Sequence, residues 1–414
     1  MKKEEETLNY NLITINEGST KFYIHEFDQN STPSKSMEVF YNKRMEINRD
    51  ISNLAIMAYN KLINQCPLII IDSMAASGIS SIRILKECNN IEKIYINDLN
   101  PYAVDLIHKN LKLNNIFEHS TQIEVSEKDA NILFSEIAEK IHLNKKNEYK
   151  IPNIISIDPF GTPNLYLDSA FKTIQKVNGL LCVTATDTPV LFGIKNDACI
   201  RKYMAKSLHT EYCKEIGARI LLNFISRIAN INGLGILPLL TFYSSHFIRV
   251  FCITFKNRKK ISEFFNKYGY IVHCDKCGYR ASFRANVLKL PKKCPNCLKK
   301  ETIDYAGPLW VDDIHHLEFI KELITINEKL NYNNKKRIEK LLTIVKDEVN
   351  MPITYYNVHR LSQELKVSTV PKLKTVINCI KNKGYRTSRT HFDFLSIKSF
   401  MDINGIKKCI LELQ

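Results

Sequence analysis

Asp158-Pro159-Phe160-Gly161 sets a carboxylate, a proline carbonyl and an aromatic ring on three consecutive positions followed by a glycine. Such a group suits chemistry on an aromatic amine. The exocyclic amino group of a nucleobase is a poor nucleophile, because its lone pair is delocalised into the ring. The Asp158 carboxylate and the Pro159 carbonyl can each accept one of its N–H protons. That turns the lone pair toward an in-line electrophile and stabilises positive charge developing on nitrogen. Phe160 can stack on an extruded base. The bland alternative is a turn in which Pro159 merely ends a strand. A second group has metal-ligand spacing: Cys274-x2-Cys277 and Cys294-x2-Cys297, 16 residues apart, as in a zinc ribbon. Each C-x2-C presents two thiolates from one tight turn, relaxed by Gly278 in the first and by Pro295-Asn296 in the second. Four thiolates close a tetrahedron and leave no open position, so a Zn2+ ion held there is structural. Redox use of a single C-x2-C is the alternative, and the pairing of two motifs argues against it.

These residues need elements to hold them. Short apolar runs at Leu68–Asp72, 93–98, 153–158, 179–186, 235–242 and Phe247–Phe255 alternate with amphipathic stretches such as Ile79–Glu87, Pro101–Leu113 and 212–231. Alternating strand and helix imply a mostly parallel sheet covered on both faces. The last two runs are joined by a short Tyr-Ser-Ser turn, which predicts an antiparallel hairpin closing the sheet. The expected fold is therefore α/β: a class I methyltransferase doubly wound sheet with a terminal antiparallel hairpin. In such sheets ligands bind at the carboxyl ends of the strands. Asp72 ends one strand, and Ala75, Ala76, Ser77 and Gly78 let the backbone approach a ligand closely. Asp98 ends the next strand, 20 residues beyond Gly78, where an acid holds ribose hydroxyls. Its alternative role is a helix N-cap, with Pro101 in the first turn. A ribose-binding acid fits NAD as well as S-adenosylmethionine. The Asp-Pro-Phe-Gly sequence decides for the latter, since amino methyltransferases of nucleic acids carry D/N-P-P-Y/F at the end of the fourth strand.

Lys and Arg number 59 against 43 Asp and Glu, a formal charge of +16. That excess favours a polyanionic partner over a merely solvated basic surface. The N-terminus MKKEEETLNY lacks an apolar run, and the most apolar stretch, 236–255, is broken by Pro238, Ser244, Ser245, His246 and Arg249. No membrane association is expected. Twelve cysteines without an export signal argue for reduced thiols and an intracellular, cytoplasmic protein. At 414 residues the chain suits two domains. Residues 1–265 are expected to form an N-terminal extension and the methyltransferase domain. Residues 266–414 are expected to form a smaller α+β domain with the zinc ribbon at 270–300 and a helical region. Within that region, helices near 358–366 and 370–382 fit a winged-helix-like unit and equally a plain helical pair. Arg280, Arg284, Lys289, Lys292, Lys293, Lys299 and Lys300 surround the ribbon. They suit contacts to RNA phosphates or a solvated loop. Trp310 reads as a core anchor between ribbon and helices.

Taken in order, further segments carry a resemblance: EGSTKFYI at 17–24, VFYNKRMEINRDIS at 39–52, DSMAASGISSIRILKE at 72–87, NDLNPYAV at 97–104, SIDPFGTPNLYLDSA at 156–170, TATDTPVLFG at 184–193, KEIGARILL at 214–222, PLLTFYSSHFIRVF at 238–251, GPLW at 307–310 and GYRTSRTHF at 384–392. The chain resembles the tRNA (guanine-26, N2)-dimethyltransferase family, in its archaeal type. The resemblance implies S-adenosylmethionine as methyl donor, tRNA as partner, and N2-methyl- and N2,N2-dimethylguanosine as products. It implies that Arg44, Arg49 and Asp50 bind the methionine end, Asp98 the ribose, and Asp129 with Ala130 the adenine. Asp158 becomes the catalytic acceptor, and the loop around Asp187 shapes the target pocket. Without the resemblance, Arg44, Arg49 and Asp50 read as a salt-bridged helix start. Three departures stand out: Lys43 in place of the usual Pro, Phe192 in place of a frequent Cys, and Val-Asp-Asp after Trp310. The rival readings are an amino methyltransferase for another tRNA guanine or for DNA, and an inactive zinc-containing RNA-binding protein. His246, His315 and His316 have no ligand or triad spacing, and His391 in RTHF is either packed or turned to substrate.

Overall fold

The computed structural model describes residues 12–26, 37–64, 66–116, 121–143, 149–284 and 289–414, with the side chain of Phe265 excepted. The N-terminal decapeptide lies outside the described residues. A hairpin of β1 (Leu12–Glu17) and β2 (Thr20–His25) precedes α1 (Glu46–Leu62). There follow β3 (Leu68–Asp72), α2 (Ile79–Glu87), β4 (Ile91–Asp98), α3 (Pro101–Leu113), β5 (Gln122–Glu127), α4 (Ala130–Leu143), β6 (Ile154–Ile157), α5 (Leu167–Thr173) and β7 (Leu180–Ala185). After α6 (Thr188–Leu191), α7 (Asn196–Tyr203) and α8 (Cys213–Ile231), the strands β8 (Gly235–Ser244) and β9 (Phe247–Phe255) complete one sheet.

That sheet runs β5-β4-β3-β6-β7-β9-β8, parallel except for β9, which is antiparallel to both neighbours. This mixed α/β order is that of class I methyltransferases. All five residues of β3 are buried, as a strand covered on both faces requires. Alternation assigns them to the two faces. Ile69, Ile71, Ile155, Ile157, Leu181 and Val183 pack under α4, α5 and α8. Leu68, Ile70, Ile154, Leu180 and Cys182 pack on the opposite side with α1 and α2. From β3 the chain moves outward to β4 and β5, then returns to add β6 and β7 on the other side. The switch point thus opens a crevice at the carboxyl ends of β3 and β6.

Two elements escape a reading based on apolar runs. The edge strand β5 is only partly buried and carries Gln122, Glu124 and Glu127, so it offers no continuous run. Helix α4 follows it directly. Helix α1 begins at Glu46 after a 3-10 turn at Lys43–Met45, with the Asn42 side chain accepting from the Arg44 amide.

Beyond the sheet come α9 (Arg258–Ser262), β10 (Tyr268–Cys274), β11 (Arg280–Arg284), β12 (Ile303–Trp310), α10 (Leu317–Lys329), α11 (Lys335–Glu348), β13 (Tyr356–Asn357), α12 (Val358–Glu364), α13 (Leu373–Asn382), β14 (Thr387–Arg389), β15 (Ser396–Ser399) and α14 (Ile403–Leu411). Strand β10 pairs antiparallel with β11 and β12, and a third sheet runs β13-β15-β14. The boundary read at 265/266 falls in a 3-10 turn, Glu263–Lys267, and apolar packing runs across it. Ile271, Leu309 and Trp310 share one core with Ile220 and Ile225 of α8, while Phe319, Ile320 and Leu323 of α10 share the other with α1. A separate small core of Val358, Leu361, Val376, Ile380, Ile397 and Ile406 forms only after α11. Trp310 is fully buried, meets Phe264 edge-on at 5.7 Å, and donates from Nε1 to the Asp313 carbonyl at 2.9 Å. No helix among the described residues is long and apolar enough to cross a membrane.

Candidate active site and metal centre

The loop leaving β3 is held open by backbone geometry. Ala76 and Gly78 have φ of +49° and +75°, and a Cβ on Gly78 would come within 3.0 Å of Ile107, so a side chain there would be strained and crowded. The Ala76 amide donates to Asp98 Oδ2 at 2.7 Å, tying this loop to the end of β4. Asp98 Oδ1 accepts from the Asn100 amide at 3.0 Å. The helix-capping role considered for Asp98 falls instead to Asn100, whose side chain accepts from the Tyr102 amide, with Pro101 in the first turn. Asp72 is buried and accepts from the Ser81 hydroxyl at 2.6 Å. Burial pushes its carboxyl up to about 6 against the opposing Ser81 hydrogen bond, with the Asp158 charge adding to the rise. The Ser77 carbonyl accepts from Asn110 at 2.9 Å. Asp129 accepts from the Asn131 amide at 2.8 Å, and buried Ala130 opens α4 beside it.

Past β6, the Asp158 loop is clipped to the loop past β7. The Gly161 amide donates to Thr186 Oγ1 at 2.7 Å, and the Thr186 amide returns a bond to the Gly161 carbonyl at 2.9 Å. Asp187 accepts from the Tyr203 hydroxyl at 2.8 Å and pairs with Lys202 at 3.2 Å. Asp158 Oδ2 accepts from Asn48 Nδ2 at 3.3 Å, a neutral donor from α1. Pro159 is buried, and Phe160, half exposed, meets Phe40 edge-on at 4.6 Å. His246 approaches Asn42 at 3.4 Å; burial and then the Arg44 charge hold its imidazole below the usual value, while Asp158 opposes them. Beneath the crevice, buried Arg249 donates to Thr184 at 2.7 Å, to Ser52 at 3.1 Å and to Ser156 at 3.3 Å. Asp72, Ser77, Gly78, Asp98, Asp158 and Pro159 therefore gather at the carboxyl ends of β3, β4 and β6.

Arg49 and Asp50 are engaged by protein partners. Arg49 Nε and Nη2 grip Glu17, at 2.6 and 2.7 Å. Asp50 meets Arg83 at 2.7 Å and Asn334 at 3.0 Å. Arg83 also binds Glu17 and Glu87, so β1, α1 and α2 share one buried ionic network with the loop before α11. Arg44 is exposed. Asn48 and Asn42 carry no mark in the sequence, His246 reads there as having no ligand or triad spacing, and Arg249 reads as a break in the apolar stretch 236–255. Only Arg249 carries a signal, as a cation inside the apolar run FIRVF. Phe192, one of the departures, lies over Gly217 of α8, where a Cβ would come within 2.9 Å of the ring.

The four cysteines meet. Cys274 and Cys297 have Sγ atoms 3.8 Å apart, Cys277 and Cys294 3.6 Å, and all four lie within 4.8 Å of one another. A tetrahedron with metal–sulfur bonds of about 2.3 Å has edges of about 3.8 Å, so the thiolates fit a tetrahedral ion. The turns behave as expected for the first knuckle, where Gly278 has φ +73° and returns its amide to the Cys274 carbonyl. In the second, Leu298 takes the corresponding position with φ +60°. Arg280 does not join the basic surface. It is buried against Tyr212 and Tyr356 and pairs with Glu211 at 2.7 Å. Arg284, Lys289, Lys292, Lys293, Lys299 and Lys300 are exposed, and residues 285–288 lie outside the described ones. His391 is packed: its Nδ1 lies 2.6 Å from the buried Glu348 carboxylate.

Known proteins match this chain along nearly its whole length. The model of the N2,N2-dimethylguanosine tRNA methyltransferase family matches residues 18–410. The chain is 36% identical over 400 residues to the tRNA (guanine(26)-N(2))-dimethyltransferase of Methanosphaera stadtmanae, covering 97% of each chain. It is 36% identical over 408 residues to that of Methanobrevibacter smithii, covering 98% of each. The solved structure of Trm1 from Pyrococcus horikoshii with S-adenosyl-L-methionine superposes with a TM-score of 0.81 at 30% identity, over 96% of this chain and all of that one. With a family model matched over residues 18–410 and relatives aligned end to end, this chain belongs to the N2,N2-dimethylguanosine tRNA methyltransferase family.

Proposed function

We propose that this chain transfers one or two methyl groups from S-adenosylmethionine to the exocyclic N2 of guanine 26 in tRNA, with Asp158 and Pro159 as the acceptors that activate the amine. The observation that carries the proposal is the loop after β6: a carboxylate steadied by the neutral Asn48, next to a proline carbonyl, clipped at Gly161 to the following loop. S-adenosylmethionine supplies the electrophilic methyl when bound. Asp98 offers its remaining lone pairs to ribose hydroxyls, and the chain around Ser77 and Gly78 allows close approach. Asp72 lies beneath that loop, and Asp129 with Ala130 sits beside the adenine. Asp158 and the Pro159 carbonyl accept the two N–H groups of the guanine amine, aim its lone pair, and spread the positive charge that grows on nitrogen. Phe160, backed by Phe40, stacks on the extruded base. A singly methylated amine keeps one N–H for the same acceptors, so a second transfer needs only room for the first methyl. Arg44, exposed near His246, approaches the methionine carboxylate, while Arg49 and Asp50 act by fixing the start of α1.

Cys274, Cys277, Cys294 and Cys297 hold a structural Zn2+ in this reading, supported by their sulfur spacing. Residues 266–414, with the exposed lysines of the ribbon and the order β13, α12, α13, β14, β15 of a winged-helix-like unit, grip the tRNA. Methyl transfer to an unmodified tRNA transcript, read by nucleoside mass spectrometry, tests the function. Dimethylguanosine is expected with guanine at position 26 and absent with adenine there or with Asp158→Ala. Methylation of the adenine-26 transcript at another guanine, or of DNA alone, overturns the assignment. Metal analysis tests the ribbon: one zinc per chain is expected, and none in Cys294→Ser.

A further inference from the structure

A cleft of about 210 Å³ opens beside the catalytic crevice, between the β8–β9 turn, α11 and the segment after β14. A single water needs about 10–15 Å³ on the same measure, so this space takes an organic group. Its walls carry three cations, Lys214, Arg337 and Lys340, and several rings, of which Tyr243 and Phe394 lie against the cations. The Lys214 ammonium lies 4.9 Å from the Tyr243 ring and the Lys340 ammonium 5.2 Å from the Phe394 ring. Arg337 touches only hydroxyls here, donating to Ser244 at 3.0 Å and Ser245 at 3.3 Å. Among the described residues, none of the three cations forms an ion pair with a carboxylate. Asp393, the acid on the wall, is held by Asn357 at 2.8 Å. Phe394 is 61% exposed, a large ring left facing solvent beside buried Phe392.

The cleft adjoins the reaction centre on two sides. Ile47 on its wall precedes Asn48, which binds Asp158, and Ser245 precedes His246, which feels the Arg44 and Asp158 charges. Unpaired cations interleaved with aromatic rings are what a single-stranded nucleotide meets: phosphate on the cations, base on the ring. We propose that this cleft is a binding subsite for a nucleotide of the tRNA adjoining the target guanine, with its phosphate held by Lys214, Arg337 and Lys340 and its base stacked on Phe394. The proposal rests on the tRNA reading above. It assigns the cleft a share of substrate grip separate from the ribbon, placed where an extruded guanine leaves its neighbour unstacked.

The test compares full-length wild-type protein with Lys340→Ala, Phe394→Ala and Phe394→Trp. The readouts are binding of unmodified tRNA over a range of salt, methylation of that tRNA, and S-adenosylmethionine binding. Lys340→Ala is expected to weaken tRNA binding about fivefold and to reduce the salt slope by about one contact. Phe394→Ala is expected to weaken it about tenfold with the slope unchanged, and Phe394→Trp to restore it. S-adenosylmethionine binding should be the same in all four, which separates a lost subsite from a damaged fold. If Lys340→Ala and Phe394→Ala bind and methylate tRNA as the wild type does, the subsite is overturned and the tRNA reading stands. If wild-type protein neither binds nor methylates tRNA, both fall together.

Discussion

Two groups of buried acids in this molecule are held in opposite ways. Where α8 meets α11 and β15, Glu215 takes both carboxylate oxygens to Lys398 at 2.7 Å and binds Arg219 at 2.9 Å. Glu348 alongside it binds the His391 ring and backbone at 2.6 Å, with His315 3.7 Å away. Burial alone would raise both carboxyls, yet the surrounding cations and donors bring both net below the ordinary glutamate value. At the crevice, the hydrogen bonds to Asp72, Asp98 and Asp158 among the described residues come from neutral donors, Ser81, two backbone amides and Asn48, with the Arg249 charge acting on Asp72 without a direct ion pair. Acids already matched by cations have no capacity left for a ligand and serve cohesion. Acids steadied by neutral donors keep lone pairs and charge for something that arrives. The same residue type is thus matched in one place and left with open lone pairs in the other, and the partner decides which.

The largest effect tests the receptive group. Asp158→Ala should lower kcat by about 10²–10⁴-fold, the range for removing a positioned acceptor, while S-adenosylmethionine binding by calorimetry stays unchanged. Asp158→Asn keeps one acceptor oxygen and should lose less. Equal losses would mean that charge, not hydrogen-bond geometry, is what the site needs. Next comes the matched group. Lys398→Met strips Glu215 of its main counter-charge and should cost about 3–5 kcal/mol in urea unfolding. A cost under about 1 kcal/mol, as at an exposed pair, would erase the contrast.

A smaller effect depends on pH. The Glu348 carboxyl sits well below its ordinary 4.5, so its contribution is complete above that value and disappears as pH falls through the folded value. Glu348→Gln should therefore lower stability by about 1–3 kcal/mol at pH 7, and the gap to wild type should close in acid. A gap that stays constant down to pH 3 would assign the loss to packing. Asp72 behaves inversely. Its folded value, raised to about 6 from 3.8, favours the protonated form, so its unfavourable contribution grows as pH rises from about 4 to about 6 and persists above. In ligand-free protein, Asp72→Asn should raise stability by up to about 3 kcal/mol at pH 8 and by nothing near pH 4. Thermal melts at the two pH values decide it, and destabilisation at pH 8 would place Asp72 with the matched acids.

How far the site could be read beforehand follows from the range of the interactions. The Gly78 loop, Asp98, the Asp158 loop and the two cysteine knuckles are each set within a few residues, and each adopts the local geometry its composition requires. Asn48 carries no such mark. It reaches Asp158 across 110 positions, just as Arg249 reaches Ser52 across 197. Arg280 was grouped with the ribbon's surface lysines because it is their neighbour in the chain. Its burial against Glu211 and Tyr355 comes from segments 69 and 75 positions away. Strand β5 lacks an apolar run because an edge strand need not be buried on both faces.

The amino-acid order by itself determined the alternation of strand and helix, the small-residue loop ending at Gly78, the Asp-Pro-Phe-Gly turn at 158–161 and the spacing of four thiols, since all depend on backbone conformation and near neighbours. Only the tertiary structure decided which charges are matched. That Arg49 reaches Glu17, that His391 reaches Glu348, and that Lys340 stands beside Phe394 in an open cleft are outcomes of packing. A charged side chain is several ångströms long and rotates freely in the unfolded chain. Its partner is fixed only when distant segments close around it.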